Sequence, residues 1–232
     1  MPEPCYSLAV DDTRPPKLEV YRDKNVALEY DRRWSGSLGA KRDKRKASAI
    51  TKAFKLLSKH HAIQFQSVLD IPCGTGRFSN LLDQFGCKTT GADLSDEMLE
   101  QARLKHPQHE YLTADMATIP FADDTFDIGM CIRLLHLVHS PALRVKYLTE
   151  LRRVCKYGAI IDYRHSHTVR IFSRKMRFHL GVYDELPQLP SPRQIQQELK
   201  LAGFAPLSKI NVHFAPYLSD KLIFPVIPDA FC

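Results

Sequence analysis

The chain has 232 residues, of which 44% are hydrophobic and 25% are charged, with a formal net charge of +7 at pH 7. This is the size and composition of one ordinary globular domain with its own core, not of a disordered or fibrous protein. No apolar run approaches the ~20 residues of a membrane-spanning helix. The positive charge is consistent with binding to a nucleic acid, to an anionic membrane face or to an acidic substrate, and equally with a role in solubility alone.

The amino-terminal residues set the expected boundaries. Residues 1–20 are rich in proline and charge, which predicts an extended arm before a single domain over residues 21–232. They lack a positive start followed by an apolar stretch, so no export signal is predicted. The six cysteines are scattered without a C-x-x-C pair. That spacing argues against a metal site or a disulfide framework and predicts a cytoplasmic location.

Residues 21–60 are expected to form a helical cap before the core. Val26, Tyr30 and Trp34 fall on one helical face, where Tyr30 and Trp34 would anchor the amino-terminal arm to the core. A second helix then opens with the basic run K-R-D-K-R-K at residues 41–46. Such a run is suited to binding a phosphate or a carboxylate, although a solvent-exposed helix face is the commoner explanation.

Residues 68–78 read V-L-D-I-P-C-G-T-G-R-F, which predicts a buried strand, a glycine turn and the start of a helix. Gly74 and Gly76 have no Cβ, so the backbone there can turn sharply and approach a ligand closely. This order places backbone N–H groups at the carboxyl end of a sheet, where α/β folds bind nucleotides. Ser79 stands where a dinucleotide fingerprint has Gly or Ala, so the two glycines alone are a weak signal.

Two further predicted strands, residues 89–93 and 111–115, each end in an aspartate. Together with Asp70 of the first strand, Asp93 and Asp115 would face one crevice, because parallel strands end at the same edge of a sheet. Three carboxylates in such an array suit a ligand with a ribose, an adenine amino group and a positively charged tail. Between these two strands, a helix capped by Ser95 is predicted.

Through these motifs, over residues 68–162, the chain resembles the class I S-adenosylmethionine-dependent methyltransferases, of the small-molecule kind that includes the ubiquinone and menaquinone methylases. The resemblance implies a Rossmann-like α/β fold with a mostly parallel seven-stranded sheet and an antiparallel last strand. It implies S-adenosyl-L-methionine as the cofactor, and a short helix before the core that folds over it, so that Tyr30 and Trp34 would help to wall the pocket. It also implies a small-molecule acceptor methylated on O, C or N, such as a quinone precursor or another lipid-like compound.

The resemblance also assigns residues to the cofactor. Asp70, Gly74 and Gly76 would cradle its methionine part, Asp93 would bind the ribose hydroxyls, and Asp115 would take the adenine amino group. The full set of predicted cofactor-binding residues is Asp70, Cys73, Gly74, Gly76, Arg77, Asp93, Leu94, Met98, Asp115, Met116 and Cys131.

The fourth strand is expected over residues 125–132 and runs into R-L-L-H-L at residues 133–137. His136 is the candidate general base, since an imidazole pKa of ~6.5 suits removal of a proton from a hydroxyl or an activated carbon. A cap or a packed side chain is the alternative, because transfer from a sulfonium can proceed through alignment alone. Arg133 is expected either to contact the cofactor carboxylate or an acidic substrate, or to form a salt bridge at the rim.

A helix over residues 142–157, ended by Gly158, and a fifth strand over residues 159–163 complete the motif region. Residues 165–190 are then predicted as a lid-like insertion. Its amphipathic helix has an apolar face made of Val169, Phe172, Met176 and Leu180. Three roles are consistent with this helix: it covers the substrate, it contacts an anionic membrane, or it packs on the core with a solvent-exposed polar face.

The carboxyl-terminal part is expected to hold one more helix, capped by Ser191, and an antiparallel hairpin of residues 209–216 and 220–227. Other functions stay open beside the methylation of a small molecule. An RNA or protein methylase would suit the basic surface, although the Asn/Asp-Pro-Pro-aromatic run of adenine N-methylases is missing. A non-catalytic cofactor-binding or partner-binding subunit would keep the same fold. The oligomeric state is not indicated.

Overall fold

The computed structural model describes residues 20–32, 36–182, 186, 188–212 and 221–229. The strands are β1 (Ser67–Asp70), β2 (Lys88–Asp93), β3 (Glu110–Thr113), β4 (Phe126–Cys131), β5 (Cys155–Arg164), β6 (Phe204–Pro206), β7 (Ile210–Asn211) and β8 (Lys221–Pro228). The helices are α1 (Lys24–Glu29), α2 (Ser37–His61), α3 (Ser79–Asp83), α4 (Asp96–Lys105), α5 (Pro141–Val154), α6 (Val169–His179) and α7 (Pro192–Leu201), and a 3-10 turn at Val20–Arg22 precedes them.

These strands form one sheet in the order β3-β2-β1-β4-β5-β8-β6, with β7 also paired to β8. The pairs among β1 to β5 are parallel, and β8 runs antiparallel to β5, β6 and β7. Parallel neighbours need crossover connections, which helices α3 to α5 supply. The predicted Rossmann-like α/β fold with an antiparallel last strand is therefore confirmed.

The carboxyl-terminal strands differ in detail from the predicted hairpin. Two short strands, β6 and β7, pair with β8 where one strand over residues 209–216 was expected, so the described sheet has eight strands and not seven. Residues 213–220 lie outside the described part of the chain. The predicted amino-terminal arm lies outside it too, except for Val20, and so does Trp34.

Gly158 does not end a helix as predicted. Helix α5 stops at Val154, and β5 begins at the next residue. Gly158 lies inside β5 with a φ of +134°, and a Cβ there would lie 2.0 Å from the carbonyl oxygen of Val226. The glycine is needed because the antiparallel neighbour β8 passes too close for any side chain.

The core has one apolar layer on each face of the sheet. One layer packs α5 and α7 on the strands, through Tyr147, Leu151 and Leu199 among others. The other packs α2 and α3 on the opposite face, through Ile50, Leu57 and Leu82 among others. Neighbouring residues of β1 enter different layers, which is the pattern of a strand buried on both faces.

Helix α6 turns its apolar face outward. Val169 is 57% exposed, Phe172 66%, Met176 51% and Leu180 75%, whereas Ile171 is only 2% exposed. The alternative in which this face packs on the core is therefore wrong. None of the described helices has the length and hydropathy needed to cross a bilayer.

Candidate functional site

The loop after β1 is tied to its neighbours by backbone hydrogen bonds. The amide of Ile71 donates to the carbonyl of Met130 at 2.9 Å, and the amide of Cys73 donates to that of Ala92 at 2.9 Å. Gly74 and Gly76 then take left-handed conformations, with φ of +55° and +69°. The sequence predicted this sharp turn because only glycine adopts that conformation at little cost.

The two glycines have different roles. A Cβ at Gly74 would meet no atom within 4 Å, so this residue leaves open space beside the loop. A Cβ at Gly76 would lie 2.9 Å from the ring of His106 and 3.1 Å from the hydroxyl of Tyr111. Gly74 therefore makes room for a ligand, and Gly76 permits close packing of the loop on the protein.

Asp93, the last residue of β2, holds the glycine loop in place. Its Oδ2 accepts a hydrogen bond from the amide of Gly74 at 2.8 Å, and its Oδ1 accepts one from the amide of Ser95 at 3.0 Å. Burial raises the pKa of Asp93, although these amides and that of Leu94 act to lower it. The side chain also lines a cavity at this edge of the sheet.

That cavity, the cofactor pocket, has a volume of about 1080 Å³ including its open mouth. This is the size of a ligand or cofactor site, for which ~300–1,000 Å³ is typical. The predicted cofactor residues that line it are Cys73, Gly74, Arg77, Asp93, Leu94, Met98, Asp115 and Met116. The strand ends named by the sequence therefore meet at one site.

Three predicted residues are absent from the wall of the cofactor pocket: Asp70, Gly76 and Cys131. Asp70 is 2% exposed, and burial and the charge of Asp93 raise its pKa well above its usual range. Cys131 is completely buried in the core, which raises its thiol pKa as well. A thiol buried in this way does not supply a nucleophilic thiolate at neutral pH.

The segment before α2 folds over the pocket. Tyr21 and Tyr30 both line it, with their ring centroids 5.8 Å apart in an edge-on arrangement. The hydroxyl of Thr75, in the glycine loop, donates to a carboxylate oxygen of Asp31 at 2.8 Å, and the hydroxyl of Ser95 donates to the carbonyl of Tyr21 at 2.8 Å. Tyr30 was a candidate from the sequence, whereas Tyr21 was missed because nothing local distinguishes it.

His136 lines the wall of the cofactor pocket just after β4. Burial lowers its pKa to about 4, with the cationic Arg164, Lys46 and Arg133 adding to this effect and Asp162 opposing it. The imidazole is therefore neutral at neutral pH and weakly basic. Its buried Nδ1 has no hydrogen-bond partner among the described residues, so a ligand is the natural partner for this atom.

A second cavity adjoins the cofactor pocket and shares Arg77, Arg133 and His136 with it. We name it the cationic cavity; it has a volume of about 660 Å³ including its open mouth. Its basic lining residues are Arg42, Lys46, Arg77, Arg133, Arg164 and Lys221, and its acidic one is Asp162.

Buried ion pairs fix part of the cationic cavity. The Nζ of Lys46 lies 2.5 Å from Oδ2 of Asp162, and both side chains are almost fully buried. The Nε of Arg77 donates to Asp43 at 3.0 Å, while burial and the nearby Arg133 lower the pKa of Arg77 to about 10. Arg77 is therefore still charged at neutral pH. Within the described residues, no cluster of His, Cys, Asp and Glu is placed to hold a metal ion.

Several known proteins with related sequences are methyltransferases. The profile of a family described as "Methyltransferase domain" matches residues 69–161. A malonyl-[acyl-carrier protein] O-methyltransferase from Hamiltonella defensa subsp. Acyrthosiphon pisum is 30% identical over 178 residues, covering 74% of this chain and 62% of that protein. These matches support the place of the chain among the class I S-adenosylmethionine-dependent methyltransferases.

Other relatives carry the same name over shorter stretches. The malonyl-[acyl-carrier protein] O-methyltransferase of Pectobacterium atrosepticum is 38% identical over 108 residues, covering 47% of this chain and 40% of that protein. The chain thus spans only 40% to 62% of the length of these two curated relatives.

Solved structures share the fold at low sequence identity. A magnesium protoporphyrin IX methyltransferase from Synechocystis, crystallised with S-adenosylhomocysteine, has a TM-score of 0.68 and 17% identity over 90% of this chain and 99% of its own. Human N-acetylserotonin methyltransferase, in complex with S-adenosylmethionine, has a TM-score of 0.64 and 16% identity over 94% of this chain and 60% of its own. Identity at this level shows the fold alone.

The pocket fits S-adenosylmethionine, the cofactor of the family. The open space at Gly74 leaves room for a ligand against the loop backbone. Asp93, which lines the pocket, and the neighbouring Asp70, which does not, both have raised pKa values, and a cationic ligand in the pocket would offset the cost of their negative charge. Asp115 and Met116 add a polar and an apolar side chain to the wall after the next strand.

Proposed function

We propose that this methyltransferase transfers the methyl group of S-adenosylmethionine to a small-molecule acceptor bound between the two cavities. One observation carries the proposal: the cofactor pocket and the cationic cavity share Arg77, Arg133 and His136. An acceptor that enters through the cationic cavity would therefore reach the cofactor without crossing the core.

The chain's residues would act mainly by positioning. When bound, S-adenosylmethionine supplies a methyl group on a positively charged sulfur. The loop fixed by Asp93 would hold its methionine part, and Asp115 with Met116 would hold its base. Held in this way, the methyl carbon would face a lone pair of the acceptor, and the electron pair of the carbon–sulfur bond would remain on sulfur. Alignment of this kind accounts for a large share of the rate of such reactions.

The acceptor would be a lipid-like or acidic small molecule methylated on O, C or N, with quinone precursors as one class. The curated relatives named above are O-methyltransferases of a malonyl group, which favours oxygen as the accepting atom. His136 is neutral and able to accept a proton from an acidic hydroxyl, but its pKa of about 4 makes it a weak base.

Calorimetric titration with S-adenosylmethionine and S-adenosylhomocysteine tests the cofactor assignment. We expect micromolar binding to the wild type and a loss of at least about 100-fold in Asp93→Ala, since each charged hydrogen bond contributes ~1.5–3 kcal/mol. Asp83→Asn, which changes a carboxylate outside the pocket, is the matched control. Folded wild-type protein that binds neither compound would contradict the proposal.

Turnover is tested separately with a panel of phenols, carboxylic acids and acyl thioesters. Formation of S-adenosylhomocysteine in the presence of one acceptor class would support methyl transfer. Tight cofactor binding without turnover on any acceptor would favour the alternative of a non-catalytic cofactor-binding subunit.

A further inference from the structure

The basic side chains of the cationic cavity come from separate parts of the fold. Arg42 and Lys46 lie one turn apart on α2, Arg164 ends β5, and Lys221 begins β8. Six basic residues line the cavity, and Asp162 is the one acidic residue among the described residues that line it.

We infer that the cationic cavity binds an oxyanion of the acceptor, a carboxylate or a phosphate, next to the transferred methyl group. This inference rests on the proposed function. Concentrating like charges in a recess is unfavourable unless anions compensate them. Guanidinium groups match the planar carboxylate and the phosphate, with which they form short, charge-assisted hydrogen bonds.

The chemistry of the shared wall agrees with an anionic acceptor. Arg77 and Arg133 belong to both cavities, so they lie where an anion would meet the cofactor. An ionised oxygen needs no base before it attacks a methyl group. The weakly basic His136 is then sufficient as a neutral hydrogen-bonding partner of the acceptor, through the Nδ1 atom that lacks a partner among the described residues.

The test uses the protein saturated with S-adenosylhomocysteine and three probes: malonate, inorganic phosphate and the uncharged dimethyl malonate. We expect malonate or phosphate to bind and the ester not to bind. Arg42→Gln should weaken anion binding about tenfold, because it removes a charged hydrogen-bond donor. Lys44→Gln, on the exposed face of the same helix, is the matched control.

The outcomes separate this inference from the proposed function. A preference for malonate over phosphate identifies a carboxylate, and the reverse preference identifies a phosphate. If S-adenosylhomocysteine binds normally but neither anion binds, or Arg42→Gln binds anions as the wild type does, the anion site is disproved and the cofactor assignment stands. Arg42 is exposed on α2, so its substitution leaves the core intact.

A second inference concerns a different surface, the apolar stripe of Val169, Phe172, Met176 and Leu180. Their spacing puts them on one side of α6, while Ile171 on the opposite side is buried. Lys175 and His179 border one edge of the stripe, and Arg170 and Arg177 border the other. No Asp or Glu occurs from residue 169 to 182.

We infer that the apolar stripe rests on an anionic membrane surface. An apolar face between two basic edges is the arrangement of helices that lie in the bilayer interface, with the cations at the level of the lipid phosphates. A second copy of this chain is a poor occupant, because a two-fold interface would place the same basic edges against each other. A lipid-like acceptor would also be delivered at such a surface.

Vesicle flotation tests this inference. We expect the protein to float with phosphatidylcholine vesicles that contain about one third phosphatidylglycerol, and to bind pure phosphatidylcholine far more weakly. The double variants Phe172→Gln/Leu180→Gln and Lys175→Gln/Arg177→Gln should each lower binding at least about tenfold. Leu104→Gln is the matched control, since Leu104 on α4 is 73% exposed, close to the 75% of Leu180.

Each variant should bind S-adenosylhomocysteine as the wild type does, which shows that the fold is intact. Wild-type protein that does not bind anionic vesicles, or a stripe variant that floats with them as the wild type does, would disprove the membrane contact. A dimer that the stripe variants dissociate would assign the surface to a second copy. Binding to an acidic carrier protein in place of vesicles would assign it to that protein.

Discussion

The two adjoining cavities differ in charge and in construction. The cofactor pocket is built on backbone turns at strand ends and carries the carboxylates Asp93 and Asp115. The cationic cavity is built from long side chains that converge from α2, β5 and β8. Opposite charges on either side of a shared wall would favour a cationic methyl donor on one side and an anionic acceptor on the other. This difference in charge between the two cavities illustrates how electrostatic complementarity can position the methyl donor and the acceptor.

Breaking the buried ion pair of the cationic cavity should have the largest effect on stability. Asp162→Asn leaves the ammonium of Lys46 buried beside other cations, and we expect a loss of about 3 kcal/mol in the free energy of unfolding. Chemical denaturation measures this change. Glu110→Gln, which breaks the exposed pair with Lys88, should change stability by less than ~0.5 kcal/mol. Equal effects would show that the Lys46–Asp162 pair does not stabilise the cavity.

The glycine loop offers a comparison inside the cofactor pocket. Gly74→Val should lower cofactor affinity at least about 100-fold, because its side chain fills the open space, while the strained backbone costs only about 1–2 kcal/mol of stability. Gly76→Val should chiefly lower stability, since it meets His106 and Tyr111. Calorimetry and thermal unfolding on both variants separate binding from packing. Unchanged affinity in Gly74→Val would remove this residue from the cofactor site.

Burial of His136 in the wall shared by the two cavities should make the stability of the protein depend on pH. The folded state lowers the pKa of His136 to about 4, so below pH ~6.5 the unfolded chain takes up a proton that the folded chain does not. This group should therefore remove up to about 2 kcal/mol of stability between pH 7 and pH 5. His136→Gln should flatten that part of the stability profile. A profile unchanged by the substitution would contradict the burial of a neutral imidazole.

The segment over the cofactor pocket should give the smallest effect. Asp31→Ala removes the acceptor of the Thr75 hydroxyl and the exposed partner of Lys105. We expect a stability change below about 1 kcal/mol and a several-fold loss of cofactor affinity, because exposed pairs contribute little but the segment orders the pocket. Titration with S-adenosylhomocysteine measures the affinity, and chemical denaturation measures the stability. A loss as large as that of Gly74→Val would make the segment part of the main binding surface.

The cofactor half of the site was predictable because its signals are local. Gly74 needs a left-handed backbone, Asp93 ends an apolar run, and Ser95 caps the next helix at the expected position. Each of these features depends on neighbours within a few residues. Cys131 shows the limit of such reasoning, since its place in a strand was predicted but its side chain enters the core instead of the pocket.

By itself, the sequence determined the strand–turn–helix order, the Rossmann-like fold and eight of the residues that line the cofactor pocket, because backbone preference and apolar periodicity act over short distances. Only the tertiary structure decided that Arg42 and Lys46 face Arg164 and Lys221 across one cavity. It also decided which side of α6 faces outward, since the periodicity marks an apolar face but not what covers it. Side chains distant in sequence meet only when the sheet and its helices have packed.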